Sequence, residues 1–109
     1  MGEKEFLRLI DPEGTARVRC RFVTVRGRLE SVVVQLEVLA DGRWQAVVRY
    51  DNAHGYAHRD EFDSSGRETK TALALPNLEM VVAYAEQDMR DRWQWYRDRF
   101  LARPHRRTR

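Results

Sequence analysis

The chain is poor in cysteine and lysine, and it has no apolar run long enough to cross a membrane. Its single cysteine, Cys20, excludes an intramolecular disulfide, and the alternating pattern around it predicts an inert core residue. No signal-peptide core follows Met1, so we expect a cytoplasmic protein without a membrane partner.

Lys4 and Lys70 are the only lysines among 20 basic residues, and all the others are arginines. Arginine presents a rigid fork of donors that fits phosphate or carboxylate, although a GC-rich genome or a thermophilic host produces the same composition. We expect a single domain over residues 1–103, followed by a basic, disordered tail over residues 104–109.

Before residue 76, apolar and polar side chains alternate as they do in strands. The candidate strands are residues 5–10, 16–25, 28–40, 43–50, 55–62 and 67–75. Every connection between them is short, and the pair Asp41 and Gly42 is a strong hairpin signal. We therefore expect an antiparallel meander of four to six strands.

The alternation also predicts which side chains share a face of the sheet. Arg17, Arg19 and Arg21 form a polar face that is either solvated or bound to a partner. In the next hairpin, Trp44 and Tyr50 are predicted to point to the same side.

After residue 76 the apolar spacing becomes helical, which predicts a helix over residues 76–102 with Asn77 as its N-cap. The expected fold class is therefore α+β, with the antiparallel meander packed against one long C-terminal α-helix. The helix end is rich in aromatic residues, which belong either to the core or to the interface of a homodimer. These candidate interface residues are Trp93, Trp95, Tyr96 and Phe100.

The stretch "VVRYDNAHGYAHRDEF", residues 47–62, concentrates the side chains that can carry chemistry. Imidazoles exchange protons near neutral pH, an arginine fork holds phosphate, and a metal-independent ribonuclease needs such an acid, base and cation. The candidate catalytic residues are His58, His54, Arg49, Asp51 and Tyr50. No metal or other cofactor is expected, because nothing in the spacing demands one. The alternative is a polar hairpin connection, because Asp, Asn and Gly all favour turns.

The segment "RYDNAHGYAHR" resembles the R-Y-D-N-x-x-G-x(2–3)-H-R signature of the TumE-like toxins of bacterial toxin–antitoxin modules. It is also similar to a set of uncharacterised bacterial proteins with the pattern VVRYD-x-AHG-x-x-HRD, from about Val33 to Phe100. The matching residues are Arg49, Tyr50, Asp51, Asn52, Gly55, His58 and Arg59. Asp60 stands where the toxin family often has a second histidine.

This resemblance implies a toxin-like protein that acts on RNA and has a cognate antitoxin protein as its partner. His58 would be the acid or base of the reaction. The candidate binding residues are Arg59, Asn52, Tyr56, Arg17, Arg19 and Arg21. Two alternatives remain: a non-catalytic homodimeric interaction module, and a nucleic-acid binder that acts through its arginine face and basic tail without catalysis.

Overall fold

Each strand of the sheet pairs antiparallel with the strand that follows it in the chain. The computed structural model describes residues 1–102. Its elements are β1 (Gly2–Leu9), β2 (Ala16–Val25), β3 (Arg28–Ala40), β4 (Arg43–Asp51), β5 (His58–Phe62), β6 (Glu68–Ala72) and α1 (Leu78–Ala102). The predicted α+β meander is confirmed, with six strands and one C-terminal helix. The predicted tail over residues 104–109 lies outside the described residues.

The core lies between α1 and one face of the sheet, which we call the helix face. Alternation along the strands brings their apolar side chains onto the apolar stripe of the helix. The buried apolar residues are Ala16, Val18, Cys20, Val32, Val34, Leu36, Val38, Val47, Val48, Tyr50, Val81, Ala85, Met89, Tyr96 and Phe100. Burial raises the pKa of the Cys20 thiol to about 11, which agrees with an inert core cysteine. Over residues 1–102, no helix has the combination of length and apolar character that crossing a membrane requires.

The opposite face, which we call the open face, carries ion pairs. Arg17 Nε lies 2.7 Å and Arg19 Nε 3.0 Å from the carboxylate oxygens of Glu37. Arg21 Nε lies 2.8 Å from Glu3. Burial would raise the pKa of Glu37, but the hydrogen bonds from its polar neighbours outweigh burial and lower it. Arg19 Nη1 also lies 3.3 Å from Glu5, so each arginine of the row predicted as a binding surface has a carboxylate partner within the chain.

An extra residue in β4, Val47, forms a β-bulge against β3, where the strand register shifts. Because of the bulge, the side chains of β4 before Val47 point to the faces opposite to those that regular alternation along the strand would give them. Trp44 consequently lies on the open face, with the Arg17 guanidinium 4.0 Å from its ring centroid. Tyr50 lies on the helix face, so the prediction that these two aromatic residues share a face is wrong.

The helix begins where the sequence predicts. The backbone N–H of Met80 donates to Asn77 Oδ1 at 2.8 Å, which confirms Asn77 as the N-cap. Near its middle, Arg92 has φ −127° and ψ 16°, so α1 consists of two helical segments joined at a kink.

The aromatic residues at the end of α1 are divided between core and surface. Tyr96 and Phe100 are buried in the core, and Trp93 is half-buried. Trp95 is 43% exposed, and the Arg99 guanidinium lies 4.8 Å from its ring centroid. The predicted interface set is therefore wrong for Tyr96 and Phe100, because the core of the same chain already covers them.

Replacement Asn77→Ala removes the side-chain acceptor at the start of α1 and is expected to lower the free energy of unfolding by about 1 kcal/mol. Urea denaturation monitored by circular dichroism measures this loss. The control is Arg90→Ala on the exposed side of the same helix. Equal stability of Asn77→Ala and the unsubstituted protein would contradict the role of the cap.

Candidate functional site

Strand pairing divides the sequence motif between the two faces of the sheet. Asp51 pairs with His58, and Tyr50 pairs with Arg59. Paired residues point to the same face, whereas neighbours along a strand point to opposite faces. Asp51, His58 and Arg49 therefore belong to the open face, and Tyr50 and Arg59 belong to the helix face. The motif builds two polar clusters that lie back to back.

The open-face cluster consists of Asp51, His58, Asp60 and Lys70. Its centre, the His58 side chain, is only 1% exposed. His58 Nδ1 lies 3.2 Å from Asp60 Oδ1, and Lys70 Nζ donates to the same oxygen at 2.8 Å. On the other side of the ring, His58 Nε2 lies 2.9 Å from Asp51 Oδ1. A carboxylate thus approaches each ring nitrogen of one buried imidazole.

The two nitrogens of the His58 ring are nevertheless not equivalent. The contact of Nδ1 with Asp60 has the geometry of a hydrogen bond. The contact of Nε2 with Asp51 is shorter but lacks that geometry, and Nε2 has no hydrogen-bond partner within residues 1–102. A buried polar atom without a partner is unusual and calls for an explanation.

The turn between β4 and β5 folds over this cluster. The His54 ring stacks on the His58 ring with 5.3 Å between their centroids, and the Tyr56 ring lies at the same distance from His58. Both covering residues are exposed, and Gly55 has the positive φ of 85° that the turn requires. The structure therefore brings the two predicted histidines together, with His54 as the accessible one.

Asn52, predicted as a binding residue, holds the turn in place. Its Nδ2 donates to the Glu30 carbonyl at 3.0 Å, and its Oδ1 accepts from the Val32 N–H at 3.1 Å. The neighbouring Asp51 Oδ1 accepts from the Ala53 N–H at 2.9 Å. These contacts fix the turn against the start of β3.

Arg49 lies at the border of the open-face cluster and pairs with Asp60 across the strands. Its Nε donates to Gln35 Oε1 at 2.8 Å, and its guanidinium lies 5.1 Å from the Phe62 ring centroid. These contacts hold the guanidinium on the same face as His58.

The helix-face cluster joins sheet and helix through the carboxylate of Asp88. Tyr50 Oη donates to Asp88 at 2.6 Å, Arg92 Nε donates at 2.8 Å, and Tyr96 Oη also donates. Burial would raise the pKa of Asp88, but these three hydrogen bonds outweigh burial and lower it. Burial and the bond to Asp88 raise the pKa of Tyr50. Tyr50, predicted as a catalytic residue, is fully buried and stays protonated, and it lies on the opposite face of the sheet from His58.

Arg59, predicted to bind phosphate beside His58, also points to the helix face. Its terminal nitrogen lies 3.3 Å from Glu61, and Tyr50 is its partner across the strands. The one-residue step from His58 to Arg59 reverses the side-chain direction, which separates the two residues.

Four residues of these clusters were not predicted as site residues: Asp60, Lys70, Asp88 and Arg92. Lys70 could have been found as one of two lysines in an otherwise arginine-rich chain, lying in a strand. Asp88 carries no comparable signal, because α1 contains several acidic residues and the sequence does not indicate which one faces the sheet.

Replacement Asp88→Asn is expected to lower the free energy of unfolding by about 2–3 kcal/mol at neutral pH. Because the folded-state pKa of Asp88 is lowered, its charged form stabilises the fold above the ordinary aspartate pKa of 3.8. This stabilisation is lost as the pH falls from that value through the lowered pKa. Urea denaturation at neutral pH and at steps below pH 4 should show the two proteins converging in acid.

The matched control is Asp91→Asn, since Asp91 lies exposed one turn further along α1 and its one side-chain hydrogen bond within residues 1–102 is accepted from Gln87. It should leave the acid dependence unchanged. A constant difference between Asp88→Asn and the unsubstituted protein at every pH would contradict the assignment.

Replacement Asn52→Ala removes both hydrogen bonds from the turn to β3 and is expected to lower the free energy of unfolding by about 1–2 kcal/mol. Asn52→Asp is the graded comparison, since it retains an acceptor for Val32 but loses the donor to Glu30. Hydrogen exchange at the Val32 amide reports the change directly. Unaltered protection of that amide in Asn52→Ala would exclude the anchoring role.

A family model for a domain of unknown function, DUF7718, matches residues 1–106. No curated protein and no solved structure matches the chain significantly. The match covers all six strands and the helix, and it includes both polar clusters. The chain therefore belongs to the DUF7718 family.

Proposed function

We propose that this chain is a toxin-like protein of the bacterial toxin–antitoxin type that acts on RNA at the turn between β4 and β5. The observation that carries the proposal is the stacked pair of His54 and His58. An exposed imidazole lies on a buried imidazole that is flanked by carboxylates, within the stretch that resembles the TumE-like signature. A proton-transferring group of this kind is what RNA cleavage requires.

The exposure of the two histidines decides their proposed roles. His54 is exposed and can reach a substrate, whereas the His58 side chain is 1% exposed. We therefore assign proton transfer to His54 and treat His58 as the positioning residue that supports its ring. The carboxylates of Asp51 and Asp60 hold His58 in turn.

In the proposed reaction the RNA 2′-oxygen attacks the adjacent phosphorus and the bond to the 5′-oxygen breaks. The products are a 2′,3′-cyclic phosphate and a 5′-hydroxyl. One proton leaves the 2′-hydroxyl and one reaches the 5′-oxygen; His54 performs one transfer and water the other. Lys70 and Arg49 lie on the same face and balance the developing charge, and the exposed Tyr56 ring offers a surface for base stacking.

Induction of the chain in a bacterial host is expected to arrest growth, and co-expression of a cognate antitoxin, to be sought among the neighbouring reading frames, should relieve the arrest. The purified protein should cleave an RNA oligonucleotide to cyclic-phosphate ends. His54→Ala should reduce the rate by about 100-fold or more. His58→Gln should reduce it and also shift the pH–rate profile, because the support of the His54 ring changes.

The matched control is His105→Ala, which removes the third histidine of the chain and should leave cleavage unchanged. Full activity of His54→Ala would remove the assignment of that residue. Salt-sensitive RNA binding without cleavage or growth arrest would replace the toxin proposal with a non-catalytic nucleic-acid binder.

A further inference from the structure

We propose that Asp51 and His58 bind one zinc-like divalent cation beneath the turn between β4 and β5. The inference concerns the buried side of the open-face cluster and does not depend on RNA being the substrate. Asp51, His58 and Asp60 are all buried, and their ligand atoms lie within 4.8 Å of one another.

The hydrogen-bond partners of His58 indicate that a cation lies between its Nε2 atom and Asp51. A neutral imidazole has a single N–H, and His58 Nδ1 lies 3.2 Å from the acceptor Asp60 Oδ1 and 3.4 Å from the donor Lys70 Nζ. Because the carboxylate is closer and Lys70 already donates to it at 2.8 Å, we place the proton on Nδ1. His58 Nε2 then carries a lone pair, and the atom 2.9 Å away, Asp51 Oδ1, is an acceptor as well. Two acceptors at this distance repel each other unless a cation lies between them.

The distance between these two atoms fits two ligands of one ion. Bonds of about 2.1 Å from zinc to an imidazole nitrogen and a carboxylate oxygen, at about a right angle, place the ligand atoms about 3.0 Å apart. The distance between His58 Nε2 and Asp51 Oδ1 is 2.9 Å. In such a chelate the oxygen lies away from the lone-pair axis of the nitrogen, which the ion occupies.

Two competing explanations place a proton on Nε2: a doubly protonated His58 that bridges both aspartates, and a neutral His58 whose Nδ1 accepts from Lys70. In either case the N–H on Nε2 would require Asp51 Oδ1 to lie in line with it. The contact lacks the geometry of a hydrogen bond, and Nε2 remains without such a partner in the described part of the chain. The direction of the contact therefore favours a shared cation over a proton.

The hydrogen bonds around Asp51 and His58 resemble those that orient metal ligands in other proteins. A metal-binding histidine commonly donates its other N–H to a carboxylate, which fixes the ring orientation. Asp60 fills this position for His58, and Lys70 holds Asp60 at 2.8 Å. Asp51 Oδ1 is fixed by the Ala53 N–H at 2.9 Å.

The charges around Asp51 and His58 and the types of their ligand atoms also favour a zinc-like cation. Lys70 lies against Asp60, whereas Asp51 has no lysine or arginine partner within residues 1–102, so its carboxylate is available to a cation. One imidazole nitrogen and one carboxylate oxygen favour Zn²⁺ over Mg²⁺, which prefers oxygen ligands. Water can complete the coordination.

Isothermal titration of the full-length, tag-free protein with Zn²⁺ alone is expected to show one saturable equivalent, and Mg²⁺ should show none. His58→Gln and Asp51→Asn should each weaken Zn²⁺ binding by at least 10-fold. His105→Ala should leave it unchanged. Zn²⁺ binding that His54→Ala abolishes and His58→Gln retains would place the ion at the surface and overturn the proposal.

A measurement on the unsubstituted protein covers the case in which the variants fail to fold. Nitrogen-15 NMR of the imidazole groups should show His58 with a proton on Nδ1 only, and Zn²⁺ should shift the Nε2 signal. A His58 ring with a proton on Nε2, whether or not Nδ1 is also protonated, that is unaffected by Zn²⁺ would overturn the proposal. Because neither experiment uses RNA, failure of the cation site and failure of the proposed RNA activity are distinguishable.

Discussion

The antiparallel pairing of β4 with β5 is the constraint on which the polar architecture of this fold depends. Once Asp51 is opposite His58, Tyr50 must be opposite Arg59, and a strand period of two sends the two pairs to opposite faces. One short motif thus supplies a buried charged row on the open face and a tyrosine–carboxylate junction on the helix face. A slip of one residue would exchange the two sets and place His58 against the apolar core.

Each face retains one buried nitrogen without a hydrogen-bond partner within residues 1–102: His58 Nε2 on the open face and Arg59 Nε on the helix face. On the helix face, Asp88 accepts three hydrogen bonds, which agrees with a structural joint between helix and sheet. On the open face, His58 Nε2 keeps a short contact without a hydrogen bond. The feature that distinguishes the open face is the exposed His54 ring, which stacks on the buried His58 ring.

Local sequence patterns predicted much of the fold. Alternation predicted the strands, the pair Asp41 and Gly42 predicted a hairpin whose two residues both have positive φ, and Asn77 predicted the helix start. The bulge at Val47 was not predictable, because two adjacent valines fit either phase of the alternation. For the site, the sequence identified His54, His58 and Asp51, but it did not separate them from Tyr50 and Arg59. That separation depends on the strand register, and the role of Asp88 depends on the rotation of a helix about its axis.

The candidate site spans strands that the helix covers to different extents. The helix packs mainly on β3 and β4, while β5 and β6 extend the sheet past it and every residue of β6 is exposed. Asp51 therefore lies in a strand that the helix covers, whereas Asp60 and Lys70 lie in a peripheral hairpin. Hairpins with few packed neighbours open by themselves more often than a whole chain unfolds. We therefore expect access to the buried imidazole to depend on the local opening free energy of this hairpin, separately from the stability of the domain.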